Sequence, residues 1–185
     1  MENDARPDPI ILTRNWLVSV VVGLDLCPFA RKPLQEDRVQ FQLSHAQDME
    51  ESLLALIEAC KQLDQDDTIE TILLIYPDHW QDFYHYLDLV EMADSILVDQ
   101  GYEGTYQVAS FHPDYCFNDA DFDDASNYTN RSPYPMLHLI REQSLEQAIA
   151  HHPDPESIPD RNIELTRSMG CEKMQALLAA CKNTQ

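Results

Sequence analysis

The segment TIETILLIYP, residues 68–77, becomes continuously apolar from Ile72 to Ile75 and is stopped by Pro77. A strand with one wet face alternates, whereas an unbroken apolar run reads as a strand covered on both faces, at the centre of a sheet between helices. The flanking segments fit such a sheet. VQFQLS (39–44) alternates as a half-buried strand should, and Ala46 to Leu63 places Met49, Leu53, Leu56, Ile57, Cys60 and Leu63 at helical spacing. Beyond Pro77, Asp78 is placed to cap a helix, WQDFYHYLDLVEMADSILVDQ, that Gly101 stops, and YQVASFH (106–112) follows as a third strand.

The ends of the chain add helices. After a flexible lead over residues 1–11, Thr13 is expected to cap a helix through Leu24, although the β-branched run Val20 to Val22 leaves a strand as the alternative. LCPFARKPLQEDR then connects to the first strand. MLHLIRE (136–142) is a fourth strand, Ser144 with Gln147 forms a capping box for a short helix, and residues 153–159 link to a terminal helix from Ile158 to Cys181, weakened at Gly170. The order α-βαβαβ-β-α-α predicts a single α/β domain over residues 1–185 with a four-stranded mixed sheet. Helical crossovers make the first three strands parallel, and the fourth is expected to be antiparallel.

Charge narrows the choice of partners. Thirty-three Asp and Glu against twelve Lys and Arg give a net charge of −21, and no Lys or Arg occurs from Gln62 to Asn130, a span with sixteen acids. Such a surface repels phosphate backbones and anionic headgroups, so neither nucleic acid nor a membrane is an expected partner. It favours solubility, or a basic protein partner. The five cysteines show no CxxC pair and are odd in number, which argues against a disulfide framework. The N-terminus lacks the character of a secretory signal, and WLVSVVVGL is far short of the ~20 residues a bilayer needs, so the expected location is the cytoplasm. No Gly-rich phosphate cradle, GxSxG or HExxH is present, and the sequence assigns no cofactor and no oligomeric state.

Open α/β sheets bind ligands at the carboxyl ends of their strands. Ser44 and His45, Asp78 and His79, and His112, Asp114 and Tyr115 follow the first three strands. The long loop 113–135 leaves that edge and returns through Asn130, Arg131 and Tyr134. Unstructured loops of this length are uncommon in compact domains, and Pro113, Pro133 and Pro135 with the anchoring rings of Tyr115, Phe117, Tyr128 and Tyr134 predict an ordered one. Arg131 could clamp a carboxylate or phosphate, or pair with a nearby acid such as Asp119 or Asp124. His112 oriented by Asp114 would be a proton-transfer pair. With His138 the two match a two-histidine, one-carboxylate metal set, against the plainer role of His138 as a satisfied core residue. Cys27, near Arg31 and Lys32, is a candidate nucleophile or a small buried hydrophobe. These residues point first to an enzyme acting on a small anionic metabolite, with His112 and Asp114 as acid–base pair, Arg131 and Asn130 as anion clamp, Tyr115 and Tyr134 lining the site, and Cys27 as nucleophile if it reaches the edge. One alternative is a non-enzymatic binding or adaptor domain using the loop and the acidic surface. Another is a metal-dependent enzyme using His112, Asp114 and His138.

The segments GLDLCPFA, ASFHPDYCF and NYTNRSPYPMLHLIRE, with RNI at 161–163, resemble the bacterial family catalogued as domain of unknown function 1415 over nearly the whole chain. The resemblance implies no activity. It draws interest to Cys27, Pro28, Phe29, His112, Pro113, Asp114, Tyr115, Asn130, Arg131, Ser132, Tyr134 and His138.

Overall fold

A computed structural model describes residues 7–182 as a mixed α/β assembly with four strands and seven helices. β1 (Val39–Leu43) and β2 (Thr71–Ile75) pair in parallel and are joined by α3 (Met49–Gln65). From β2 the chain passes through α4 (Phe83–Asp99) to β3 (Tyr106–Phe111), yet β3 does not pair with β2. β4 (Met136–Arg141) lies between them, antiparallel to both, in the order β1-β2-β4-β3.

This pairing corrects the expectation that the first three strands form a parallel set: β3 pairs only with β4, and antiparallel. Parallel pairing is confined to β1 and β2. Burial explains the difference: Met136, Leu137 and Leu139 are 0% exposed and need cover on both faces, whereas β3 carries an exposed Gln107 and tolerates an edge. Two antiparallel steps return β3 to the sense of β2, so the carboxyl ends of β1, β2 and β3 share one edge.

Alternation along the strands divides the core in two. On one face, α3 and α4 bring Leu56, Cys60, Leu63, Leu89 and Leu97 onto Ile72, Leu74, Leu137 and Leu139. The other face is covered by α1 (Pro9–Trp16, continuing as the π-helical turns Leu17–Val22) and α7 (Cys171–Cys181), with Trp16, Val20, Val21 and Met174 packing on Leu73, Ile75 and Met136. α2 (Arg31–Gln35), α5 (Glu142–Ala150) and α6 (Ile158–Met169) complete the fold.

Several element ends differ from expectation. The first helix starts at Pro9, capped by the Asp8 carboxylate, and Thr13 is buried within it rather than capping it. The predicted flexible lead therefore stops short of residue 11, and its first six residues lie outside the described ones. α5 follows β4 directly from Arg141 with no side-chain cap, so Ser144 and Gln147 do not form the expected box. The terminal helix is two helices, broken where Gly170 takes φ 80°. A left-handed residue cannot continue a right-handed helix.

Tyr86 joins the layers. From α4 its buried hydroxyl donates to the Met136 carbonyl at 2.7 Å and accepts the Phe111 N–H at 3.0 Å, fastening the helix across the β3–β4 pair. Replacing it with phenylalanine orphans two backbone groups. Tyr86→Phe is expected to cost about 1–3 kcal/mol in urea unfolding, and a loss below a few tenths would show that water takes over both partners.

Candidate functional site

The helix after β2 does not begin where periodicity places it. Trp80 adopts φ 62°, a conformation that breaks helical continuation, and α4 begins only at Phe83, capped by the Asp82 carboxylate on the His85 N–H at 3.0 Å. Asp78, expected to be the cap, is left in the turn. Residues 77–82 thus form a short irregular link at the carboxyl edge. It opens a groove of about 390 Å³ between the first turns of α3 and α4, lined by Met49, Asp78, His79, Trp80, Gln81, Asp82, His85 and Asp88.

Trp80 is held from two sides. Its indole N–H donates to Ser52 on α3 at 3.0 Å, and its carbonyl accepts from His112 Nε2 at 2.9 Å. At the rim of this turn, His45 from the end of β1 meets Asp78 at 3.4 Å, both side chains largely exposed. The hydrogen bond to the His85 N–H holds the Asp82 carboxyl below the usual carboxylate range.

The predicted site residues are distributed differently. His112 is 0% exposed, packed against Phe83 and Tyr86 with ring centroids 5.2 and 5.0 Å away. Its Nδ1 accepts the backbone N–H of Asp114 at 2.9 Å, so residue 114 orients it through the main chain rather than through the carboxylate. Both imidazole nitrogens are engaged by the backbone. That is a structural arrangement, not the expected carboxylate–histidine pair.

Arg131 is equally committed. Its guanidinium lies 4.7 Å from the ring centres of both Phe122 and Tyr128, with Nε donating to the Tyr115 carbonyl at 3.0 Å and Nη2 to the Phe122 carbonyl at 2.7 Å. It neither faces the groove nor uses the acids offered as alternative partners; it holds the loop closed on itself. Asn130 bonds the Ser110 carbonyl at 3.1 Å, and Tyr115 packs on Phe83 and Phe117. Tyr134 is half-buried. It packs with the cluster on the α1 face, and burial, with the charges of Asp78 and Asp8, raises its phenol.

His112 and His138 lie on opposite faces of the sheet. His112 joins the α4 side, while His138 shares the other face with Phe111, and its Nε2 lies 2.6 Å from the Thr71 hydroxyl. Among the described residues no group of three or more His, Cys, Asp or Glu side chains is arranged to hold a metal, so the set His112, Asp114 and His138 is not assembled. Cys27 packs with the helices of the α1 face, and burial pushes its thiol up, against the thiolate a nucleophile needs. Its turn is gripped by α6, where Arg161 bonds Asp25 and Asn162 donates to the Leu26 carbonyl at 2.6 Å. LDLC and RNI, two of the distinctive segments, therefore meet in space.

Trp80, Asp82, His85 and Asp88 were not singled out by the sequence reading, because WQDF looks like helix. Asn127 was missed too: wholly buried, it accepts the Phe117 N–H and donates to the Asp121 and Phe122 carbonyls, organising the loop from inside. Its position in a run of small polar residues between aromatics was the available signal.

The family model described as Protein of unknown function (DUF1415) matches residues 9–176. The chain belongs to that family. No curated protein and no solved structure matches it. Within this DUF1415 chain, no helix among the described residues is long and apolar enough to cross a membrane.

Burial makes both imidazoles harder to protonate, taking His138 to about 4 and His112 below its ordinary 6.5, the latter partly offset by the Trp80 carbonyl. The unfolded chain therefore binds more protons between those values and the ordinary one. The stability contributed by the neutral rings is complete above about pH 6.5 and drains away as pH falls toward 4. Urea midpoints are expected to fall across that window more steeply for the natural chain than for His138→Gln. Identical slopes would show that His138 does not contribute.

Proposed function

We propose that this chain is a binding domain whose groove at the carboxyl end of β2 takes a cationic group, an ammonium or guanidinium. The observation that carries this reading is the lining itself. Three aspartates, two histidines and the aromatic surface of Trp80 meet there, and no lining residue is Lys or Arg. An anion entering this groove would face Asp78, Asp82 and Asp88 unaided, while a cation gains their charge and a tryptophan ring. The loop residues favoured for anion capture are engaged elsewhere, Arg131 by carbonyls and aromatic rings and Asn130 by Ser110. This supports the binding-domain alternative, with the acidic groove rather than the tip of loop 113–135 as its surface.

A second reading rests on the His45–Asp78 contact of 3.4 Å. A carboxylate beside an accessible imidazole can support proton transfer on a substrate held in the groove, which keeps an enzymatic role open through residues other than His112 and Asp114. Such a substrate would itself carry positive charge.

Titration calorimetry with a short arginine-containing peptide, and with inorganic phosphate as the opposite probe, separates cation from anion binding. The peptide is expected to bind with an affinity that falls as salt rises, and Asp88→Asn to weaken it about fivefold, equivalent to roughly 1 kcal/mol. Saturable phosphate binding with no peptide binding would overturn the proposal.

A further inference from the structure

The groove runs out onto an unusual helical surface. α4 exposes Tyr84, Met92 and Val98 at 77%, 44% and 54%, and the neighbouring α3 exposes Leu54 at 54%. At 3.6 residues per turn, Tyr84, Asp88, Glu91, Ser95 and Val98 stack into one stripe about 21 Å long, with Met92 beside it. Single exposed apolar side chains are ordinary, but here they share two adjacent helices with charge of one sign. Asp88, Glu91 and Asp94 on α4 and Glu50, Glu51 and Glu58 on α3 are all exposed. The two helices carry one cation, Lys61, which Glu58 holds at 2.6 Å.

We infer that the outer face of α3 and α4 receives a helical segment of a partner protein, one that carries Lys or Arg together with apolar anchors at helical spacing. This rests on the cationic reading of the groove and names the partner: one basic side chain enters the groove, and the following turns lie along the Tyr84–Val98 stripe. A small amine would occupy the groove and leave the stripe uncovered. Charge argues against a second copy of the chain, since each copy carries −21, and against nucleic acid or an anionic membrane for the same reason. Acids set around apolar anchors suit a basic amphipathic helix, in which charge fixes register and the apolar residues supply affinity.

The test uses the full chain and two fluorescent peptides of equal length and charge. One is an amphipathic helix of lysines and leucines; in the other the leucines are replaced by serine. The leucine peptide is expected to bind at least tenfold tighter. The double variant Tyr84→Ser, Met92→Ser should abolish that difference without changing affinity for the serine peptide, with circular dichroism confirming the fold. If both peptides bind equally and the double variant moves neither, the helical-partner inference fails while the cationic groove stands. If neither peptide binds, both fail. Concentration-dependent dimerisation in sedimentation that the double variant removes would assign the stripe to a second copy and overturn the inference.

Discussion

The position of β4 governs the rest of the structure. An apolar strand that needs cover on both faces is inserted between β2 and β3, so the chain leaving β3 must turn back and deliver Met136 beside Phe111 and Ile75. A tight hairpin would connect β3 to β4 with two to five residues, yet the chain uses residues 112–135. That excursion costs conformational entropy unless its own contacts hold it. It is held at its base by the His112 N–H on the Asn130 carbonyl and the Ser132 N–H on the His112 carbonyl, and at its centre by Asn127 and Arg131.

Order in the loop therefore comes from satisfied polar groups as much as from apolar burial. Arg131 spans the loop by bonding carbonyls of residues 115 and 122, while its own carbonyl accepts the Trp16 indole N–H at 3.0 Å. The loop is thereby attached to α1. Asp124 extends the attachment to α6 through a two-pronged contact with Arg167, the shortest at 2.7 Å, which holds the Asp124 carboxyl far below the usual carboxylate range. Aromatic and charged residues that looked like recognition elements thus form an internal brace.

Much of the fold was legible because its signals are local. The unbroken run Ile72–Ile75 marked a central strand, the periods of α3 and α4 marked two helices, and both kinds of element are present. Strand order was less legible because crossover reasoning gives the sense of strands and not their neighbours; the full burial of Met136, Leu137 and Leu139 that suits β4 to an interior slot emerges only from the packing. Roles within the site were least legible. Composition shows that Arg131 is rich in donors, but not that two carbonyls and two rings lie within its reach; those partners are brought together by the loop's closure. The same holds for His112, whose partners are the Trp80 carbonyl and a main-chain N–H rather than a carboxylate.

His112 also explains why the groove has its shape. A tryptophan at φ 62° is unfavourable by about 1–2 kcal/mol relative to a right-handed residue, and such a turn persists only where its surroundings dictate it. Here the surroundings are specific: His112 takes the Trp80 carbonyl from the β3 side, Ser52 takes the indole from α3, and the Asp82 cap starts α4 on the far side of the kink. With Trp80 fixed this way, the first turn that α4 would otherwise add is withheld, and Asp78 and His79 stay at the rim instead of joining the helix. The buried histidine acts on the groove through the backbone, as a positioning residue, and the chemistry the groove offers comes from the exposed acids that the kink leaves in place.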